Sequence, residues 1–489
     1  MKKITLLLTV LGIVLLSSCE GFLDVKPSNS ADSGTSILNA NDAKVALNGL
    51  MRNMASSSYY GRNFIIYGDA KGGDFALRSQ GRGLDALYVF NHSASSNSYS
   101  GFWAQMYYCL LQVNNLLFNI EKIEEAGNGT TALSDYKGQA LTARALIYFD
   151  LVRLYGKPYN MDKSSYGVPL VLTPIDAKDQ PTRASVEQVY TQILADLAAA
   201  APLLSKNITK GFINYYANKS IHARVALTMD DYTTALAAAE EVITSGKYTL
   251  YTNANWLNSW ANEFSSESIF ELAMYENESN LGTASLGYYL LRLGKVTGAL
   301  GWFMASDYYL ARLGQDANDV RWSVMDYDES STTRFGSCLK YVGGPAMKGD
   351  KGNIAAATNV KVIRLSEIYL IAAEAAFKLP APDKTKAANY LNQIRKRAPG
   401  LAAATAADVT MQMIEDERSK ELFAEGHRYF DMLRWNKSIE FNDDFIFPAV
   451  LITHREKTID RTFYKAILPI PQEELDANPQ IAAQQNPGY

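Results

Sequence analysis

Metal or acid–base chemistry would have to draw on four histidines, His92, His222, His427 and His454. None lies at ligand spacing with another histidine or with a cysteine, so no zinc site is expected. Asp326-Tyr327-Asp328 opens like a calcium loop, but Ser331 stands where glycine is required and Ser337 where glutamate is. The run GTASLG, Gly282 to Gly287, is one residue too long for a nucleophile elbow and has no strand before it. Near Gly344 to Asp350, Lys348 precedes the second glycine, so a phosphate loop does not form. A glycosidase needs two carboxylates across a cleft; Glu263, Glu267, Asp69 and Asp74 are available, yet spacing pairs none of them. The expectation is a protein with no catalytic residues, no metal and no cofactor.

Binding is what remains. Aromatic faces on irregular segments suit sugars, whose C–H faces stack on π clouds while Asn, Asp and Arg read the hydroxyls. An aromatic on a regular helix face is ordinarily core, which sets Trp103 and Trp435 aside. Two stretches lack periodicity and are rich in aromatics, residues 56–100 and 249–345.

The elements around them are helical. Trp103, Tyr107, Leu110, Val113, Asn114 and Leu117 make one face, and Lys137 to Gly156 another. Ser185-x-x-Gln188 is a capping box opening the next helix. Residues 217–246 and 362–398 each read as a helix pair with small and large residues alternating across it, in a tetratricopeptide-like layout. Glu417 to Trp435, ERSKELFAEGHRYFDMLRW, reads as a helix stopped by Gly426 and followed by a second short helix. Glu417, Glu421 and Glu425 recur every four residues, and Arg428, Asp431 and Arg434 follow. These charges are expected to pair across a helix–turn–helix corner over an aromatic core.

Glu417–Trp435 resembles the C-terminal signature of the SusD/RagB family of outer-membrane nutrient-binding lipoproteins. Trp103 to Asn114, Lys137 to Gly156, Asp319-Val320-Arg321, Lys340-Tyr341, Val362 to Ala375 and Leu468 to Tyr489 resemble further landmarks in the family's order. The resemblance implies a mostly α fold with tetratricopeptide-like helix pairs and a loop-rich region of minor β structure. It implies ligand contacts on the segments 56–100 and 275–310. There the candidates are Tyr67, Asp69, Asp74, Arg78, Asn91, Tyr288, Tyr289 and Trp302. It also implies an oligosaccharide ligand, with oligopeptide as the alternative, and a SusC-like TonB-dependent barrel as partner. A helical-repeat scaffold binding only proteins and a surface hydrolase are the remaining readings.

The N-terminus fits that picture. Lys2 and Lys3 precede an apolar run, Ile4 to Leu16, too short to span a bilayer. Leu16-Ser17-Ser18-Cys19 matches the lipobox of bacterial lipoproteins, implying lipidation of Cys19 and an outer-membrane, outward-facing anchor. The expected division is a signal peptide over 1–18, a lipidated tether over 19–40, a helical region over 41–248 and a C-terminal region over 249–489 packed with it. The formal charge is −4, or −4 − 2 = −6 without Lys2 and Lys3, which excludes a nucleic-acid binder. Cys109 and Cys338 are expected to be buried free thiols.

Overall fold

The structure, a computed structural model, describes residues 37–78, 84–95, 100–176, 178–275, 284–291, 299–327, 333–342, 358–446 and 452–489. The mostly α expectation holds. Strands among the described residues occur only as two-stranded antiparallel pairs: β1 (Phe75–Leu77) with β5 (Phe303–Ala305), β2 (Tyr166–Pro169) with β3 (Arg183–Ser185), β4 (Ser268–Leu272) with β8 (Val360–Arg364), β6 (Met325–Tyr327) with β7 (Phe335–Cys338), and β9 (Ile439–Glu440) with β10 (Thr458–Ile459). None of the described helices is long and apolar enough to cross a membrane.

The helices form where their caps say they should. Ser185 accepts from the Gln188 N–H and Gln188 returns to the Ser185 N–H, completing the capping box at Val186–Ala200. Asn214 caps Tyr215–Thr228 and Asp231 caps Tyr232–Thr244, with Asp230 turning the chain between them at φ +61°. Leu365–Lys378 and Lys384–Arg395 make the second pair, whose first helix packs against Tyr232–Thr244. Two copies separated in sequence therefore join into one stack. The β4–β8 pairing, Ser268 opposite Arg364 and Leu272 opposite Val360, returns the chain to the stack.

The charged corner pairs as expected, but its shape differs. The first helix, Met411–Glu421, ends five residues before Gly426, and Ala424 takes the left-handed backbone at φ +65°. Side chains from elsewhere satisfy the carbonyls that a longer helix would have used. Lys340 Nζ donates to Glu421 O (3.0 Å) and Phe423 O (2.9 Å), and the Tyr341 hydroxyl donates to Ala424 O (2.7 Å). Glu425 thus enters the network from a turn. Arg321 meets Asp319 (2.6 Å) and Glu417 (2.7 Å); Arg364 meets Glu267 (2.8 Å), Glu421 (3.2 Å) and Glu425 (2.7 Å). Arg397, Lys340 and Lys420 complete the set. Five acids (Asp319, Glu267, Glu417, Glu421, Glu425) face five bases, which is how so many charges can lie inside.

The stretch 56–100 holds more regular structure than its lost periodicity predicts. Asn63–Ala70 is a helix with all eight residues buried, so no polar face marks it in the sequence. Its Gly68 lies against the Gly426 backbone; a Cβ there would sit 2.2 Å from Gly426 O. Alanine favours helix over glycine by about 1 kcal/mol, but this overlap is with backbone and cannot rotate away. Gly68→Ala is therefore expected to lower the urea midpoint, by an amount matching about 1–3 kcal/mol net. An unchanged or raised midpoint would mean the two segments separate at little cost.

Cys109 and Cys338 are buried free thiols, and burial pushes them up to about 12 and about 11.

Candidate functional site

The segments 56–100 and 275–310 meet through β1 and β5, with Phe75 opposite Ala305 and Leu77 opposite Phe303. The ladder continues one residue further, where Arg78 N donates to Trp302 O at 2.9 Å and Arg78 Nε to Gly301 O at 3.0 Å. Gly301 has φ +56°, and Leu300 N donates to Tyr288 O at 2.7 Å. The short helix Leu286–Leu290, capped by Ser285, is so held beside β5.

Three rings follow from this arrangement. Tyr288 and Tyr289 lie 5.5 Å apart at 72°, and Tyr289 and Trp302 lie 5.7 Å apart at 70°, all edge-to-face. The Arg62 guanidinium sits 5.3 Å from the Tyr289 ring centre. Burial lowers the Arg62 pKa, with the Tyr289 hydroxyl acting against it. Tyr288, Arg62 and Arg78 are half-buried, whereas Tyr289 and Trp302 are 8% and 4% exposed. Tyr288 is the ring offered to solvent; Tyr289 and Trp302 are its backing, not the open platforms expected from their irregular segment. Arg62 escaped sequence reasoning, although a basic residue just after Tyr59 and Tyr60 was the available signal.

Three other expected contacts lie inside the protein. Tyr67 is fully buried and packs edge-on to Phe102 and Tyr429. Asp69 accepts from Gly426 N (2.7 Å) and Arg428 N (3.4 Å). Burial pushes its carboxyl up to about 8 against those two bonds. Asp74 accepts from Ser419 Oγ (2.6 Å) and pairs with Arg312 and Arg428. These two carboxylates tie the N-terminal segment to the charged corner; their role is architectural. Asn91 is exposed, but its neighbours Phe90 and His92 pack on Phe463 and Tyr489, and among the described residues no ring contact or hydrogen bond joins it to Tyr288. Cys19 lies outside the described residues.

Asp69, Asp74 and Glu267, three of the four carboxylates weighed for hydrolysis, are engaged elsewhere, and Glu263 is half-buried. Glu267 is fully buried and bound to Arg364, Arg397 and the Tyr251 and Ser366 N–H groups. No group of three metal-ligating side chains occurs among the described residues. The half-buried Tyr288 ring can stack a planar or C–H-rich ligand face, and among the described residues no acid–base pair is bonded to it.

Residues 228–489 match the model of the SusD family, and residues 21–227 match a model described as starch-binding and associating with the outer membrane. A SusD-like protein of Formosa agariphila is 26% identical over 491 residues, covering 88% of this chain and 91% of that protein. A SusD superfamily crystal structure from Bacteroides thetaiotaomicron superposes with TM-score 0.83 at 33% identity, covering 92% of this chain and all of that one. A second, from Bacteroides vulgatus, matches with TM-score 0.83 at 33% identity, covering 93% of this chain and 100% of that one. A laminarin-binding SusD-like protein shares the fold at 22% identity and TM-score 0.69, over 92% of this chain and 99% of its own.

Proposed function

Since the chain belongs to the SusD family, we propose that it is a non-catalytic surface lipoprotein that captures oligosaccharides and delivers them to a SusC-like TonB-dependent outer-membrane barrel. The observation that carries this reading is the Tyr288 mouth. Tyr288 stays half-buried on a backing of Tyr289 and Trp302, with the Arg62 guanidinium over the Tyr289 ring and Arg78 bonded to Gly301 O. A sugar would stack on the accessible part of the Tyr288 ring, and among the described residues no carboxylate pair flanks it. The model described as starch-binding and outer-membrane-associated supports the ligand class and the location. Lipidation at Cys19 would supply the anchor, and the domains would divide near residue 248 while packing as one body.

The test is a glycan and peptide array followed by calorimetry on the detergent-solubilised full chain, with product analysis after incubation. One glycan class is expected to bind saturably and to be recovered intact. Tyr288→Ala is expected to weaken it about tenfold, the worth of one aromatic stacking contact. Trp302→Ala should weaken it through loss of the backing. Binding to peptides alone would reassign the ligand to oligopeptides. Cleaved products would overturn the non-catalytic reading, and glycan affinity unchanged in Tyr288→Ala would move the site elsewhere.

A further inference from the structure

A second concave surface has a different chemical character from the Tyr288 mouth. It is an open groove of about 960 Å³ between the Ala40–Met54 helix, the loop ending at Phe212 and the residues flanking β4. That is at the top of the roughly 300–1,000 Å³ of small-molecule pockets, which leaves room for an extended ligand. Lys44, Asn48 and Arg52, four residues apart, present one line of the helix to it. Lys210 joins them, and Glu263 is the one acid among the described lining residues. The lining therefore carries 3 − 1 = +2 on a chain whose formal charge is −4. A positive cleft on a negative molecule focuses anionic ligands toward itself. In the adjoining hollow of about 130 Å³, Lys247 extends the basic run, while Glu271 is buried and held by Lys361 and Ser268.

The groove is also lined with rings, and one of them is held in place at the expense of its backbone. Phe264 has φ +48°, a left-handed conformation that L side chains rarely adopt. Its N–H donates to Glu271 Oε1 at 3.0 Å, and that carboxylate is fixed in turn by Asn359 (2.9 Å) and Ser268 (2.6 Å). Lys361 Nζ donates to Asn262 O at 3.2 Å, bracing the same loop. The ring then lies over Gly211, where a Cβ would be 3.8 Å from it. Phe212 lines the same surface, and Tyr275 stands 43% exposed at its edge. Asn48 and Asn262 line the same surface.

We propose that this groove is a second binding site, for an acidic oligosaccharide whose sugar faces stack on Phe264 and Tyr275 and whose carboxylate or sulfate groups meet Lys44 and Lys210. Rings, amides and lysines along an open path match a chain of pyranoses bearing anions. A peptide would instead be gripped by a strand edge and apolar pockets. The site is independent of the Tyr288 mouth, so each can fail without the other.

The test is calorimetry on the detergent-solubilised full chain with oligogalacturonate, a sulfated oligosaccharide of similar length, and maltoheptaose as neutral control. At least one acidic probe is expected to bind, more weakly as salt rises. The exposed pair Lys44→Ala/Lys210→Ala should cost about tenfold or more. Phe264→Gly, which keeps the backbone and removes the ring, should also weaken binding, and Tyr288→Ala should not. Whether the carboxylate or the sulfate probe binds names the anion. The proposal is overturned if neither acidic probe binds saturably, if the lysine pair leaves affinity unchanged, or if maltoheptaose or a polyglutamate peptide binds this groove as tightly.

Discussion

Replacing Arg364 by methionine is expected to cost about 3–5 kcal/mol of stability, because it strands three buried carboxylates. Arg364 is fully enclosed and touches Glu267, Glu421 and Glu425 at 2.7–3.2 Å. Burial disfavours its charge, yet the three acids outweigh that and hold its pKa well above the ordinary arginine value. Removing it leaves five acids against four bases in the buried interior, where charge is poorly screened. The sum matters more than any one bond. Arg364→Met with Glu425→Gln restores the count and should recover part of the loss, although Lys340 then forfeits its 2.7 Å partner. The contrasting case is Lys163–Glu187, an equally short pair at 2.6 Å whose side chains are half exposed; Lys163→Met should leave the urea midpoint where it was. A midpoint for Arg364→Met within error of the parent would refute the view that this network holds the C-terminal region together.

How far the sequence foretold this depends on whether a feature is local. The capping box at Ser185 and the paired helices were legible because their determinants lie within a few residues of each other. That Glu417, Glu421 and Glu425 must be paired was also legible, since so many charges beside aromatics need partners. Where the partners come from was not: Arg321, Lys340, Arg364 and Arg397 arrive from separate segments, and no spacing encodes that. The candidate site shows the same limit. Asn63–Ala70 is buried on every side, so its residues lack a polar phase and read as loop. Tyr67, Asp69 and Asp74 then looked like ligand contacts, when one is core and two are clamps on the charged corner. Tyr288 and Trp302 were found together, but only the β1–β5 register shows which of them faces outward.

The same network predicts how the protein fails in acid. Burial pushes Glu421 up, but Arg397, Arg364 and Arg321 overcome it and bring the carboxyl from 4.5 to about 2. Burial and Arg224 oppose each other in the same way at Glu367, again ending at about 2. Between those values the unfolded chain binds protons that the native one refuses, so stability is complete above pH 4.5 and drains as pH falls toward 2. At 1.36 kcal/mol per unit, each carboxylate contributes about 3 kcal/mol. His427 acts earlier with the same sign: burial lowers it to about 4, so the unfolded chain gains a proton first, from about pH 6.5 downward. Burial lowers His92 as well. Asp69 opposes them. Its carboxyl is raised from 3.8 to about 8, so it is the native state that holds the extra proton between those limits, and its contribution grows as pH falls through 8. The urea midpoint should therefore slope gently between pH 6.5 and 4.5, where Asp69 offsets part of the histidine loss, and steeply below. Asp69→Asn, which keeps an oxygen for the Gly426 N–H, removes the offset and should steepen the upper part of the curve. Equal midpoints at pH 7 and pH 3 would contradict the burial of these carboxylates as ion pairs, and an Asp69→Asn curve parallel to the parent would place an ionised aspartate at that clamp.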